Sequence, residues 1–117
     1  MEVTDEARPG HLFVVARERF DAAAAGAVIG EVARLCAQHR LDRVLVDFRD
    51  VTDIVSIADR HALGQAIAAA KVPARIAILV AEPQRHTAAL EDTAVNRGAS
   101  VRTTSSEAEA RRFLALG

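Results

Sequence analysis

Asp50, Thr52, Asp53 and Ser56 are the side chains in this 117-residue sequence best placed by type and spacing to do chemistry. They follow the apolar run Arg43 to Phe48 (RVLVDF) and precede a helical pattern, so they fall where a strand hands over to a helix. Two carboxylates three residues apart could share a divalent cation. No third acidic ligand is close by in sequence, and a solvated acidic loop is the simpler reading. Ser56 opens the helical pattern with Asp59 three residues on, the spacing of an N-cap. A hydroxyl at a helix start can also carry a phosphate, because the free N–H groups and the helix dipole favour an anion there. His61 is the histidine nearest this stretch, and with Asp50 and Asp53 it would complete a small acid–base set.

Other chemistry finds less support. His11, His39, His61 and His86 show neither HxxxH nor HExxH spacing, and no P-loop, GxGxxG, GxSxG or CxxC occurs. No catalytic residue, metal site or cofactor is expected. The lone cysteine, Cys36, falls on the apolar stripe of a helix, where a small core residue is expected rather than a nucleophile. One cysteine builds no disulfide framework, which suits a reducing cytoplasm. The net charge of −1 argues against duplex DNA or an anionic membrane as partner. Four Phe, no Tyr and no Trp leave little aromatic surface for stacking bases. The N-terminus MEVTDEARPG is acidic and polar, unlike a signal peptide, and the apolar runs are too short to span a bilayer.

The elements that must position these residues follow from pattern. Glu2 to Ala7 reads as a polar edge strand, turned at Pro9-Gly10 onto a firm strand from His11 to Ala16. Asp21 stands at an N-cap position before a helix whose apolar stripe is Val28, Ile29, Val32, Leu35 and Cys36. Gly26 and Gly30, one turn apart, suggest close backbone packing against a neighbour. Arg43 to Phe48 and Arg75 to Val80 are nearly continuous apolar runs, as in strands buried on both faces of a parallel sheet. Asp47 lies within the first of these, and if buried its carboxylate should hydrogen-bond to nearby backbone. Between them a helix from about Ser56 to Ala70 buries Ala62, Leu63, Ala66, Ile67 and Ala70, and Pro73 keeps it from extending. A third helix runs from about Gln84 to Arg97, with Pro83 near its first turn and Gly98 as cap; Arg97 could face a partner. Ser100 to Thr104 makes a last strand, and Ser106 with Glu109 forms a capping box for a final helix burying Ala110, Phe113 and Leu114. The order implies a single α/β domain over residues 1–117. Its sheet is mostly parallel, with four to five strands, right-handed crossovers and an antiparallel first edge.

This ordered set resembles the STAS domain family, the anti-sigma-factor antagonist-like fold, and most of all its small single-domain bacterial branch. In that family a strand leads through a Gly-Glu-Leu-Asp-type turn into the first helix; here ERFD matches, with Asp21 on the Asp. The central strand is followed by an Asp-Leu-Ser-like stretch and a serine-bearing helix start. Asp50-Val51-Thr52 matches the first part, and Ser56 falls within a residue of the phosphorylatable serine. Leu63-Gly64, the strand RIAILV, the AEP turn, the NRG helix end and the SSEAEARRFL helix complete the likeness. The family's Asp-Ser-Ser-Gly-Leu-Gly run is replaced by VSIADRHALG, and the glycine of the first turn is missing.

The resemblance implies a non-catalytic cytoplasmic module that binds a protein partner. The binding face would comprise Asp21, Asp50, Thr52, Asp53, Asp59 and Arg60, with Ser56 as the phosphorylation candidate. A phosphate among those carboxylates would release an acidic or apolar partner by like-charge repulsion. The alternative is a domain binding a small apolar or anionic ligand between helix and sheet, as related lipid-transfer-type α/β folds do. An exposed helix face or the polar first strand offers a route to a homodimer.

Overall fold

Gly10 holds φ at +84°, a region that glycine enters without a Cβ penalty, and so reverses the chain between its first two strands. These are β1 (Glu2–Arg8) and β2 (His11–Arg19). They pair antiparallel from Glu2 opposite Arg17 to Arg8 opposite His11. The computed structural model describes residues 1–52, 57–81, 91 and 95–116. After β2 come α1 (Ala22–His39), β3 (Arg43–Thr52), α2 (Ile57–Ala69), β4 (Arg75–Leu79), β5 (Ser100–Thr104) and a C-terminal helix, α3 (Glu107–Phe113). The helix expected from Gln84 to Arg97, and with it Pro83, lies largely outside the described residues; Glu91, Val95 and Asn96 are helical. Gly98 closes that segment as expected, with φ +95° and its N–H donating to the Val95 carbonyl at 2.9 Å.

Among the described residues the strands form one five-stranded sheet in chain order, β1-β2-β3-β4-β5. The first pair is antiparallel and the other three are parallel, as the alternation of strands and helices predicts. Two strands outrun the expectation. β2 continues to Arg19 and β3 to Thr52, so Asp50, Val51 and Thr52 belong to a strand and not to a loop. The polar RDVT segment carries no apolar alternation. Its order comes from backbone pairing with Arg17, Glu18 and Arg19 of β2.

Two apolar layers flank the sheet. Leu12, Val14, Val44, Ile76, Ile78 and Val101 face Ala25, Val32, Leu35 and Cys36 of α1 and Leu63 and Ile67 of α2. Leu45, Ala77 and Leu79 on the other face meet Ala110 of α3 and Leu114 just beyond it, with Phe13 and Phe113 at the margin. Parity along each strand therefore sends consecutive residues to different layers. Cys36 is 1 % exposed, and burial pushes its thiol pKa up, which makes it a core residue. Two helix expectations are corrected. Gly26 and Gly30 lie on the exposed side of α1, and a Cβ at either would meet nothing within 4 Å, so no close helix contact requires them. Ala62 is exposed, because the buried stripe of α2 runs through Leu63 and Ile67 one residue further round.

Candidate functional site

The site is assembled where β2, β3 and α1 meet. Asp21 caps α1: its backbone is extended (φ −133°, ψ 113°) and its Oδ1 accepts from the Ala24 N–H at 3.1 Å. The preceding residue fixes where that cap lies, since the Phe20 N–H donates to the Thr52 carbonyl at 2.9 Å. A single backbone hydrogen bond thus sets Asp21 beside the last residue of β3. Asp50 and Thr52 reach the same end by pairing with Arg17 and Arg19.

A β-bulge aims Asp50. The β2–β3 register passes from Val15 opposite Asp47 to Arg17 opposite Asp50, so β3 holds one extra residue there. Regular alternation would send Asp47 and Asp50 to opposite faces; the bulge returns Asp50 to the face of Asp47. Close to the bulge, Glu18 holds φ at +73°, a left-handed conformation that a Cβ disfavours. In the ERFD stretch Glu18 stands where the family-type turn carries glycine.

Asp47 anchors the strand below. It is 9 % exposed; its Oδ1 accepts from the Arg49 N–H at 3.0 Å and from Arg49 Nε at 2.9 Å, and its Oδ2 from Nη2 at 2.8 Å. The backbone bond expected of a buried aspartate is present, joined by a guanidinium fork that the sequence reading did not foresee. The Arg49 hydrogen bonds hold the Asp47 carboxyl below the usual carboxylate range, against the opposing effect of burial.

The remaining candidates divide. Asp59 lies in the first turn of α2, where a carboxylate complements the helix dipole. Arg60 is 5 % exposed, and burial lowers its guanidinium pKa, so it lies in the interior and not on an exposed face. Helical spacing accounts for this: Arg60 lies three and seven residues before Leu63 and Ile67, on the buried stripe. Asp53 and Ser56 lie outside the described residues. His61 is exposed and its Nε2 lies 3.3 Å from the Gln65 side-chain amide, one turn along α2. Among the described residues no three of His, Cys, Asp and Glu come together to hold a metal ion. Three charges at this end had no role in the sequence pattern: Glu18 and Arg19 fell in the ERFD turn, and Arg17 lay between that turn and the strand ending at Ala16. Arg17 also reaches Glu2 at 3.9 Å. Among the described residues this end of the sheet carries acidic and basic side chains side by side.

A cavity of about 40 Å³ lies between α1, α2 and the sheet, walled by Val28, Ile29, Val44, Val46, Leu63 and Ile76 among others, with no polar wall. Ligand pockets run to roughly 300–1,000 Å³. No helix among the described residues is long and apolar enough to cross a membrane.

No protein-family model and no curated protein sequence matches the chain. Among solved structures, the chain is similar to the anti-sigma factor antagonist SpoIIAA in its unphosphorylated form, with a TM-score of 0.52 and 13% identity. The match covers 97% of this chain and 98% of that one. The chain has a STAS-like fold, as the order of its motifs implies.

Proposed function

We propose that this chain, starting from its STAS-like fold, is a non-catalytic cytoplasmic regulatory module that binds a protein partner. The face it uses comprises Asp21, Asp50, Thr52, Asp53 and Asp59. Arg60 supports this face from inside. The observation that carries the reading is the Phe20–Thr52 hydrogen bond, which joins the cap of α1 to the end of β3. It ties the start of α1 to the last residue of β3 at the carboxyl ends of parallel strands, the edge where α/β sheets meet ligands. The similar solved protein is by its name an antagonist of an anti-sigma factor, and its structure is distinguished as the unphosphorylated form. Both properties fit a partner-binding module switched by phosphate.

Ser56, the residue before α2, is the proposed phosphorylation site. A phosphate adds about −1.5 to −2 charges at neutral pH. Placed in sequence between Thr52 and Asp59, it would repel an acidic partner and desolvate poorly against an apolar one. The cavity of about 40 Å³ between helices and sheet is small for the alternative of a lipid-type ligand.

The test is affinity capture of the tagged full chain from its native cytosol, with mass spectrometry of the bound proteins and of Ser56. Wild type and Ser56→Ala are expected to retain one specific partner, and Ser56→Asp to lose it by tenfold or more. A Ser56→Asp chain that holds the partner as wild type does would remove the switch. A chain that captures no protein and instead carries a small molecule in native mass spectrometry would replace the whole reading.

A further inference from the structure

We propose that the opposite end of the sheet is a second docking surface, shaped and charged for an acidic peptide segment of a partner protein. In a parallel sheet the strands begin at one end and finish at the other. Arg43 opens β3 and Arg75 opens β4, and the two are direct cross-strand partners; Ser100 opens β5 opposite Arg75. Lys71 follows the end of α2 and Arg97 precedes Gly98. Two adjoining grooves of about 570 and 280 Å³ run across this end and share Val72, Ala74, Gly98 and Ala99. Arg43 and Arg75 line the larger, Lys71 and Arg97 the smaller. The single carboxylate among the lining residues is Asp42, whose side chain is 81% exposed and 3.8 Å from Arg43 Nε.

Folding alone does not account for this arrangement. Lys71 and Arg97 follow helical segments, where cations offset the negative end of the dipole. Arg43 and Arg75 open strands, where no such field exists, and like charges on facing strand positions destabilise a sheet. Among the described residues the Arg75 guanidinium donates one long hydrogen bond, of 3.3 Å, to the Phe113 carbonyl. The whole chain has a net charge of −1, so this concentration of cations is local and not compositional.

Shape and chemistry select the occupant. The lining residues include no aromatic ring for stacking bases, and their largest apolar side chains, Ile67 and Ile76, are buried in the core and present little surface to a bilayer. The sites are concave, with Val72, Ala74 and Ala99 in their walls, which suits a peptide chain lying across the strand starts. Adjacent strands are about 4.8 Å apart and alternate residues of an extended peptide about 6.6 Å. Side chains of that reach can present carboxylates to neighbouring guanidinium forks.

The experiment uses the full chain, ¹⁵N-labelled, titrated with a peptide of four Glu-Ser repeats and with a Gln-Ser control. Saturable shifts are expected at the amides of Val72, Ala74, Gly98, Ala99 and Ser100 with the Glu peptide only. Arg43→Gln/Arg97→Gln is expected to weaken that binding at least tenfold, and Asp21→Asn/Asp50→Asn to leave it within twofold. Arg97→Gln alone, at an exposed position, provides a second variant should the double change disturb folding, with threefold or greater weakening expected. Shifts centred elsewhere, equal response to the control peptide, unchanged affinity in the arginine variants, or preference for phosphatidylglycerol vesicles over the peptide would each overturn the proposal.

Discussion

Glu18 keeps a backbone angle that its own side chain resists. A left-handed conformation costs a non-glycine residue about 1–2 kcal/mol, and glycine adds back some unfolded-state entropy. Glu18→Gly is therefore expected to stabilise the fold by about 1 kcal/mol, read as a rise in the urea midpoint at unchanged slope. A fall in the midpoint would show that the Glu18 side chain makes a compensating interaction. The position is half-legible in sequence: the missing glycine of the ERFD turn flags it, but nothing local says that Glu18 adopts a φ of +73°. Asp21 was fully legible, because a cap depends on a residue type and a spacing. The Asp47–Arg49 fork was not, since residues two apart on a strand meet only when a bulge or a long side chain brings them together. Arg60 failed for the converse reason. Its charge argued for solvent, while its place on the α2 stripe decided for the interior.

At the scale of elements, α1 separates stability from recognition. Asp21→Ala removes the side-chain acceptor for the Ala24 N–H and should cost about 1 kcal/mol. Asp21→Asn keeps a cap of equal rank and should change stability by only a few tenths. If the acidic face binds a partner by charge, both variants weaken that binding in a titration, although only one weakens the helix. Equal partner affinity for Asp21→Asn and wild type would take Asp21 out of the face. The C-terminal helix shows a cap that was half anticipated. Ser106 Oγ accepts from the Glu109 N–H at 3.2 Å, but Glu109 Oε2 turns to the Thr104 hydroxyl at 3.1 Å instead of closing the box. β5 is covered at one position of its outer side in a similar way. Glu91 accepts from both the Thr103 N–H and hydroxyl at 2.9 Å, occupying a donor that an open edge would offer to another chain. Strands of continuous apolar residues were easy to read; the polar extension of β3 was not, because pairing alone specifies it.

For the molecule as a whole, pH is the revealing variable. His11 is 5 % exposed, and its ring nitrogens have no hydrogen-bond partner within close geometry among the described residues. It shares a face with Phe13, beneath α3. Burial lowers its pKa, the nearby Pro9 carbonyl opposes this, and Arg111 of α3 and Arg8 of β1 lower it further. The unfolded chain therefore takes up the proton first. Stability is full above about 6.5 and falls as pH drops through that value, by at most about 1.4 kcal/mol per unit. Asp47 adds a second loss further down, below the ordinary carboxylate range, as its depressed pKa is passed. His11→Leu is expected to abolish the first window and keep the second, measured as urea midpoints between pH 7.5 and 3. A wild-type midpoint that is level from pH 7.5 to 5 would remove His11 from the account. One feature of the whole also bears on how the chain comes to be folded. The strands lie side by side in the order in which they are made. At roughly 5–20 residues per second, each strand leaves the ribosome seconds after the neighbour it will join. No strand has to wait for a later one or insert between two already paired. Each parallel pairing nevertheless joins residues far apart along the chain, Leu12 with Val44 for example, so a whole crossover must close before each new edge is covered, which slows folding.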